Sequence, residues 1–366
     1  MSDRVPTSMQ ALTANRSIVS RLVNYFSTKL GGDGIQVKAV PVPLPSDTEI
    51  LVKVSCVALN PTDFKHIDVV SPRGAIIGCD YAGRVAKVGC NAPGNWKVGD
   101  RVAGWVHGGL FLDRGSFAEY LKIPGDLAWK LPTTVSDEEG STYGVSAVTA
   151  MLALNTRLAV PWIDESIERG RQASSILIYA GSTAAGLYAI QLAKLAGLHV
   201  ITTASPRSFE LVRQYGADAV FDYRLPTSID EITTAYPNID KAMDCFSEGK
   251  STEFCAKVMS KNGGKVVTLL DTGKRSSYGV QFEFMLGYTV FNLPFQWLPP
   301  FGPSFAARPS DHEALVRFYS ALPRLCAELK PPPIKIIDGG LHNLAAGLEM
   351  LRRGQVSGTK LVSKFV

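Results

Sequence analysis

The sequence has no CxxC pair. Its six cysteines, at 56, 79, 90, 245, 255 and 326, stand apart and show no metal-type spacing with the five histidines. A cysteine-built zinc module is excluded, and the cysteines read as reduced thiols, mostly buried. Long apolar runs are missing too. No stretch reaches the roughly 18 residues that span a bilayer, and the N-terminus carries no apolar signal-peptide core. The expectation is a soluble, cytoplasmic protein. Charge is sparse at 19%, and the formal net charge of +5 contains no run of five or six Lys or Arg. That leaves no polybasic stretch for a nucleic acid and at most a weak attraction for phosphorylated ligands.

What is present is enough for a full core. With 366 residues, 46% of them hydrophobic, the chain fits two domains. Gln10 to Lys29 mixes apolar and polar residues without a firm period and meets Gly31-Gly32-Asp33-Gly34, which predicts an N-terminal extension leading into a strand. From Gln36 the character changes. Short alternating or apolar runs at Val37–Val42, Glu49–Ser55, Gly83–Gly89, Asp100–Gly104 and Ser116–Leu121 sit between Gly, Pro and Asp punctuation and predict a barrel-like β unit. Val145 to Leu154 then predicts a compact apolar helix.

From Ser174 the order becomes strand, small-residue turn, helix, strand, repeated. Strands are expected at Ile176–Tyr179, Val200–Ala204, Ala219–Phe221, Lys241–Cys245 and Lys265–Leu269, with helices at Gly186–Ala196 and Ser208–Tyr215. Such alternation demands parallel strands joined by crossover helices, a doubly wound sheet. The fold class is therefore α/β. Asp271 to Pro309 is rich in Pro and aromatics and suggests an ordered insertion over a cleft, and residues 334–366 return to β-type patterns that would complete the first domain. The expected division is 36–150 with 334–366 as one domain and 151–333 as the other, with the insertion at 272–309. Prolines in that insertion interrupt what could be an edge strand after Val267, which favours a monomer.

The turn Ala180-Gly181-Ser182-Thr183-Ala184-Ala185-Gly186 comes directly after the first of these strands. A pyrophosphate needs backbone N–H groups and a helix N-terminus at close range, so small residues belong where side chains would block it. The turn departs from G-x-G-x-x-G, and a tight turn in any α/β domain has the same character. The second strand sharpens the reading: it ends Thr203-Ala204-Ser205-Pro206-Arg207-Ser208. No carboxylate stands there to repel a 2′-phosphate, while Ser205, Arg207 and Ser208 supply donors and a planar guanidinium, which favours NADPH over NADH. Arg207 as a solvated residue near a helix start is the alternative. Tyr223, beyond the third strand, either lines the adenine side or packs as a partly exposed tyrosine.

Five segments together carry a resemblance: Asn60-Pro61-Thr62-Asp63, Gly78-Cys79-Asp80-Tyr81-Ala82-Gly83, Val98-Gly99-Asp100-Arg101-Val102, Gly115-Ser116-Phe117-Ala118-Glu119-Tyr120 and Val356-Ser357-Gly358-Thr359-Lys360-Leu361-Val362. In order and spacing the chain resembles the medium-chain dehydrogenase/reductase superfamily from about Val37 onward. The resemblance implies a GroES-like β-barrel domain built from both chain ends and a Rossmann domain inserted between them. Zinc-dependent members place a Cys where this chain has Asn60 and a His-Glu pair where it has Cys79-Asp80. Cys79 and Asp80 alone do not make a catalytic zinc site, which needs three good ligands, so no metal is expected. Without a metal Lewis acid, a conjugated C=C is a better hydride acceptor than an isolated carbonyl, because the charge spreads into an enolate that hydrogen-bond donors can hold.

Within the superfamily the chain is similar to zinc-independent, NADPH-dependent enoyl reductases, particularly the trans-acting enzymes that serve fungal polyketide synthases. The cues are the run Asn60 to Asp68, Ser182 to Ala185, the Ser205-Pro206 turn and the aromatics around Phe291. The resemblance implies reduction of an α,β-unsaturated thioester on an acyl-carrier domain, with hydride to the β-carbon and a proton to the α-carbon. By position, Asn60, Pro61, Thr62, Asp63, Ser182, Thr183, Ala184, Ala185, Ser205, Pro206, Arg207, Ser208, Tyr223, Leu270, Asp271, Ser357 and Gly358 would contact NADPH. Gly144, Val145, Ser146, Ala147, Val148, Thr149, Ala150 and Met151, with Gly287, Tyr288, Thr289, Val290 and Phe291, would line the acyl pocket. Lys65 and Thr149 are the catalytic candidates, Lys65 as a donor to the enolate or the proton chain and Thr149 as a hydrogen-bonding group near the nicotinamide or the thioester oxygen; a surface cation and a helix hydroxyl bonded to its own backbone are the bland alternatives. The expected partner is a polyketide synthase with its carrier-bound acyl chain. A stand-alone quinone or enone oxidoreductase and a non-catalytic NADPH-binding protein remain open beside this reading.

Overall fold

The computed structural model describes residues 5–27, 34–163 and 174–365. They group into two compact units. Unit 1 takes the chain up to Val145, then Tyr288–Cys326 and the chain from Pro333; unit 2 takes Ser146–Gly287 and Ala327–Pro332. Tyr288–Cys326, expected in the cofactor-binding half, thus groups with the β-rich unit.

Unit 1 opens with β1 (Ser8–Ala14), β2 (Ile35–Pro41), β3 (Glu49–Ala58), β4 (Asp80–Val88), β5 (Arg101–Trp105), β6 (Tyr120–Pro124) and β7 (Ala128–Lys130). β3 pairs antiparallel with both β4 and β6 and is buried along almost its whole length, which is why Glu49–Ala58 reads as a nearly continuous apolar run. The β3–β4 approach is close. A Cβ at Gly83 would stand 2.1 Å from the Lys53 carbonyl, so only glycine fits there. The N-terminal stretch, expected to be an extension, is instead integral: β1 pairs antiparallel with β2, and Met9 and Ala11 pack in one core cluster with Leu51, Ile76 and Ala118. Helix Ile18–Ser27 comes next, anchored where Arg21 Nη1 donates to the Val70 carbonyl at 2.8 Å and Asn24 Nδ2 to the Asp68 carbonyl at 2.9 Å. Residues Gly31 to Asp33 lie outside the described residues.

Unit 2 contains β8 (Ser175–Tyr179), β9 (His199–Ala204), β10 (Ala219–Asp222), β11 (Lys241–Asp244), β12 (Gly264–Thr268), β13 (Ser276–Ser277) and β14 (Val280–Phe284). The spatial order is β10-β9-β8-β11-β12-β14-β13, parallel throughout except for β13. Chain order reverses between β8 and β11, which places a topological switch point at the carboxyl end of β8. Leu177, Ile201, Ala242 and Val266 from four neighbouring strands meet Cys255 and Met259 of helix Ser251–Met259 in the core.

The expected interruption of the sheet after Val267 does not occur. Val280, Phe282 and Phe284 alternate with Gln281 and Glu283, the period of a strand, and β14 joins β12 in parallel. Pro294, Pro299, Pro300 and Pro303 all come later, in the segment that groups with unit 1. There the chain forms β15 (Phe295–Gln296), β16 (Ser304–Phe305), helix Pro309–Leu325, β17 (Ile334–Ile337) and β18 (Lys360–Lys364). β18 returns beside β3, so both chain ends build one sheet. Helix Leu344–Arg352 lies between β17 and β18, where β-type pattern was expected throughout. No helix among the described residues is long and apolar enough to cross a membrane.

Candidate functional site

Unit 2 gathers its candidates at the carboxyl edge of the parallel sheet. After β8 the chain turns through Ala180 at φ +58°, and helix Ala184–Leu195 begins with Thr183 as its cap, the hydroxyl accepting from Gly186 N at 3.0 Å. Ala180 N donates to Thr203 Oγ1 and Gly181 N to the Thr203 carbonyl, both at 3.0 Å, which ties the turn to the end of β9. A Cβ at Gly181 would meet Thr202 Oγ1 at 2.0 Å, so the glycine is required by packing. The first turn of the helix carries no acidic residue, and the first amides of a helix have no acceptor within the helix itself. Ser182, Thr183, Ala184 and Ala185 thus form the turn and the helix start that follow β8.

Ser205, Pro206, Arg207 and Ser208 form the turn after β9. Ser208 N donates to the Ser205 carbonyl at 2.8 Å, Ser208 is buried and Arg207 is exposed. Tyr223 comes directly after β10, and its ring lies 6.0 Å from that of Tyr179 at the end of β8, so it reaches across the end of β9. Leu270 and Asp271 lie just beyond β12 on the same edge, where Asp271 accepts from Gly273 N and Arg275. Ser146 to Met151 continue a buried helix in this unit, with Thr149 9% exposed, and Gly287 closes the unit.

One pair on this edge escapes reading by sequence pattern alone. Asp222, the last residue of β10, stands in register with Ala204, the last of β9. Arg224 grips it: Nε to Oδ1 is 2.9 Å and Nη2 to Oδ2 is 2.7 Å. The acid and the base two residues apart, Asp222-Tyr223-Arg224, were the available signal.

In unit 1 the candidates surround a buried charge cluster. Asn60 precedes helix Pro61–Lys65, and its own N–H donates to Asp63 Oδ2 at 2.7 Å. Its side-chain amide donates to Asp80 Oδ2 at 2.9 Å, and Val145 N donates to Asp80 Oδ1 at 2.6 Å. Lys360 completes the cluster, its ammonium 3.2 Å from Asp80 Oδ2 and hydrogen-bonded to Asn60 Oδ1. Burial pushes the Asp63 carboxyl up to about 7, against the opposing pull of the Asn60 N–H and Lys360; burial raises Asp80 as well. A Cβ at Gly144 would meet Asp80 Oδ1 at 2.2 Å, which accounts for that glycine.

Tyr288 joins the two candidate sets of this unit. Its hydroxyl lies 2.9 Å from Thr62 Oγ1 and 3.3 Å from Cys79 Sγ, and its ring stacks on His66 at 4.9 Å and His107 at 4.5 Å. Phe291 stacks on His107 from the same segment. Burial holds His66 down to about 4, His107 well below its ordinary value and the Cys79 thiol well above its own. These rings are neutral at physiological pH, and the cluster is an aromatic, largely apolar wall. Thr289 donates to Asp311 Oδ2 and Val290 is buried, both on the inner side of that segment. Lys65 is half-buried at the end of its helix, and Ser357 and Gly358 precede β18.

With this geometry in place, similarity to known proteins becomes specific. The Alcohol dehydrogenase GroES-like domain matches residues 46–133 and the Zinc-binding dehydrogenase domain residues 184–283. Trans-enoyl reductase FSL5 of Gibberella zeae is 38% identical over 356 residues, covering 94% of this chain and 98% of that protein. The chain belongs to the trans-enoyl reductase family. It is an enoyl reductase with a GroES-like domain and a Rossmann domain. Trans-enoyl reductase TOXD of Cochliobolus carbonum is 44% identical over 257 residues, covering 69% of this chain and 85% of that protein. In fold, the CurK enoyl reductase superimposes with a TM-score of 0.71 at 17% identity, covering 98% of this chain and 99% of that one. A mycobacterial protein solved in complex with NADPH gives 0.68 at 18% identity, covering 98% and 100%.

The second domain's name implies zinc, and the residues present do not fit it. Asp80 is already bonded to the ammonium of Lys360, a fixed cation, and to the side chain of Asn60, while Cys79 is a neutral thiol against Tyr288. No cluster of three or more His, Cys, Asp or Glu suited to a metal exists among the described residues. A nicotinamide dinucleotide fits unit 2: the capped helix end and the absence of acid in its first turn lie on the carboxyl edge of the sheet, with the Ser205 to Ser208 turn beside them.

Proposed function

We propose that this enoyl reductase is a trans-acting, NADPH-dependent enzyme of the cytoplasm that reduces the α,β-unsaturated thioester of a polyketide chain carried by a separate synthase. The observation that supports this most is the 38% identity to a trans-enoyl reductase across nearly the full length of both chains, joined to a site whose buried cation is Lys360 in place of a metal. NADPH, when bound, supplies the hydride that the β-carbon receives. The amides at the start of helix Ala184–Leu195, with Ser182 and Thr183, would hold the pyrophosphate, and Ser205, Arg207 and Ser208 the 2′-phosphate. Tyr223 would lie beside the adenine, and Leu270, Asp271, Ser357 and Gly358 would complete the cofactor contacts.

As charge moves onto the thioester oxygen, a donor fixed beforehand stabilises it more than water would, because it has no reorganisation left to perform. Lys65 would donate to the enolate oxygen or feed the proton chain to the α-carbon, and Thr149 would hydrogen-bond near the nicotinamide or the thioester oxygen. Asn60 and Asp63 cap one another at the start of helix Pro61–Lys65 and so hold Lys65 on a rigid element. Tyr288 and Phe291, buried with His107 and Trp105, give the acyl chain an apolar wall.

The test is a comparison of NADPH oxidation with a carrier-bound enoyl thioester, a free enone and a free quinone. Fastest turnover on the carrier-bound thioester is the expected result. Turnover on the quinone or the enone alone would assign a stand-alone oxidoreductase, and NADPH binding without any turnover would assign a non-catalytic protein.

A further inference from the structure

We propose that Arg224, gripped by Asp222, is a second guanidinium of the 2′-phosphate site and sets this enzyme's preference for NADPH over NADH. The proposal rests on the NADPH reading above and adds to it a residue that reading does not use.

Strand register places the pair. Neighbouring parallel strands lie about 4.8 Å apart, and Asp222 and Ala204 are partners at the last rung of β10 and β9. The chain leaving β10 through Tyr223 and Arg224 therefore emerges beside the Ser205 to Ser208 turn, through which the chain leaves β9. Tyr223 extends toward the end of β8, with its ring 6.0 Å from that of Tyr179, and the Arg224 guanidinium lies 6.0 Å from the Tyr223 ring. Strand end, ring and guanidinium thus lie along one edge of the sheet.

Alone, the Asp222 carboxylate would repel a phosphate at this place. Arg224 bonds to both of its oxygens and cancels that charge, and Asp222 in turn fixes the guanidinium plane. Hydrogen bonds from Arg224 hold the Asp222 carboxyl below its usual range, so the pair stays ionised. The Asp222 side chain is 9% exposed and that of Arg224 56%, so the acid is covered while the base faces solvent. Nε and Nη2 are directed at the carboxylate, and a guanidinium has five N–H donors in a planar fork. Nη1 takes no part in that pairing and belongs to a side chain that is 56% exposed, with Arg207 exposed on the adjoining turn.

The experiment measures dissociation constants for NADPH and NADH by fluorescence on the full-length protein and on Arg224→Gln, Arg224→Glu and Arg207→Gln. Loss of one charge-assisted contact should weaken NADPH by about tenfold in Arg224→Gln, leave NADH within twofold, and cost more in Arg224→Glu. Displacement of bound NADPH by 2′-AMP but not 5′-AMP gives a readout on the unmodified protein. Wild-type preference for NADPH with an unchanged ratio in Arg224→Gln overturns the assignment of Arg224 and leaves the NADPH reading intact. Equal weakening of NADPH and NADH assigns Arg224 a structural role and also overturns it. Equal wild-type affinity for the two coenzymes sinks the NADPH reading itself.

Discussion

At the scale of single residues, the buried cluster of Asn60, Asp63, Asp80 and Lys360 concentrates the largest energies. Lys360 is 4% exposed beside an Asp80 that is fully buried. Lys360→Met would leave the carboxylate without its cation, a change that costs about 3–5 kcal/mol in buried pairs. Chemical denaturation should show that loss; a change under about 1 kcal/mol would mean that Asp80 is already protonated in the native protein. Asp63 allows a test by pH. Its folded pKa is raised to about 7 from 3.8, with burial as the first cause. Between those values the folded state binds the proton more tightly, so its contribution is full below about pH 4 and falls as pH rises through 7. Asp63→Asn keeps an acceptor for the Asn60 N–H and removes the titration. The stability difference between wild type and Asp63→Asn should therefore move against the wild type by about 1 kcal/mol per pH unit from about pH 4 to 7. A difference independent of pH would show that Asp63 is not raised.

At the scale of elements, the turn between β8 and helix Ala184–Leu195 has its own measurable cap. Thr183→Val conserves shape and removes the oxygen that accepts from Gly186 N, which should lower stability by about 1 kcal/mol in thermal or urea unfolding. The parallel strands β8 to β12 were legible because buried strands are short apolar runs set off by Gly and Ser turns, and the alternation with helices constrains the rest. The first strand was not: Ser8-Met9-Gln10-Ala11-Leu12-Thr13-Ala14 has few β-branched residues, and its place is fixed by distant partners such as the Phe117 carbonyl, which accepts from Leu12 N. Period two was readable at Val280, Phe282 and Phe284, but nearby prolines outweighed it. In the site, small-residue turns and the absence of acid after β9 were readable as types. The meeting of Tyr288 with Thr62, 226 residues apart in sequence, depends on tertiary placement that no local pattern encodes.

At the scale of the whole molecule, the edges of the sheet of unit 2 bear on self-association. Its outer strand on one side is β13, only Ser276–Ser277, flanked by Lys274 and Arg275. Two residues offer too few free ladder groups for another copy to continue the sheet, and the adjacent Lys274 opposes a second identical edge. The other edge is β10, four residues long, whose carboxyl end is engaged by the Asp222 and Arg224 pair. Neither edge is a long, flat template, so the protein should run as a monomer of 39.5 kDa in light scattering coupled to size exclusion, at micromolar concentration and moderate salt. A mass of twice that value would show that another surface joins the copies. If that dimer persisted after Ser277→Pro, which removes an N–H from the edge, the joining surface would lie outside β13; if it dissociated, the two-residue strand would be sufficient to nucleate pairing and its shortness would be no protection.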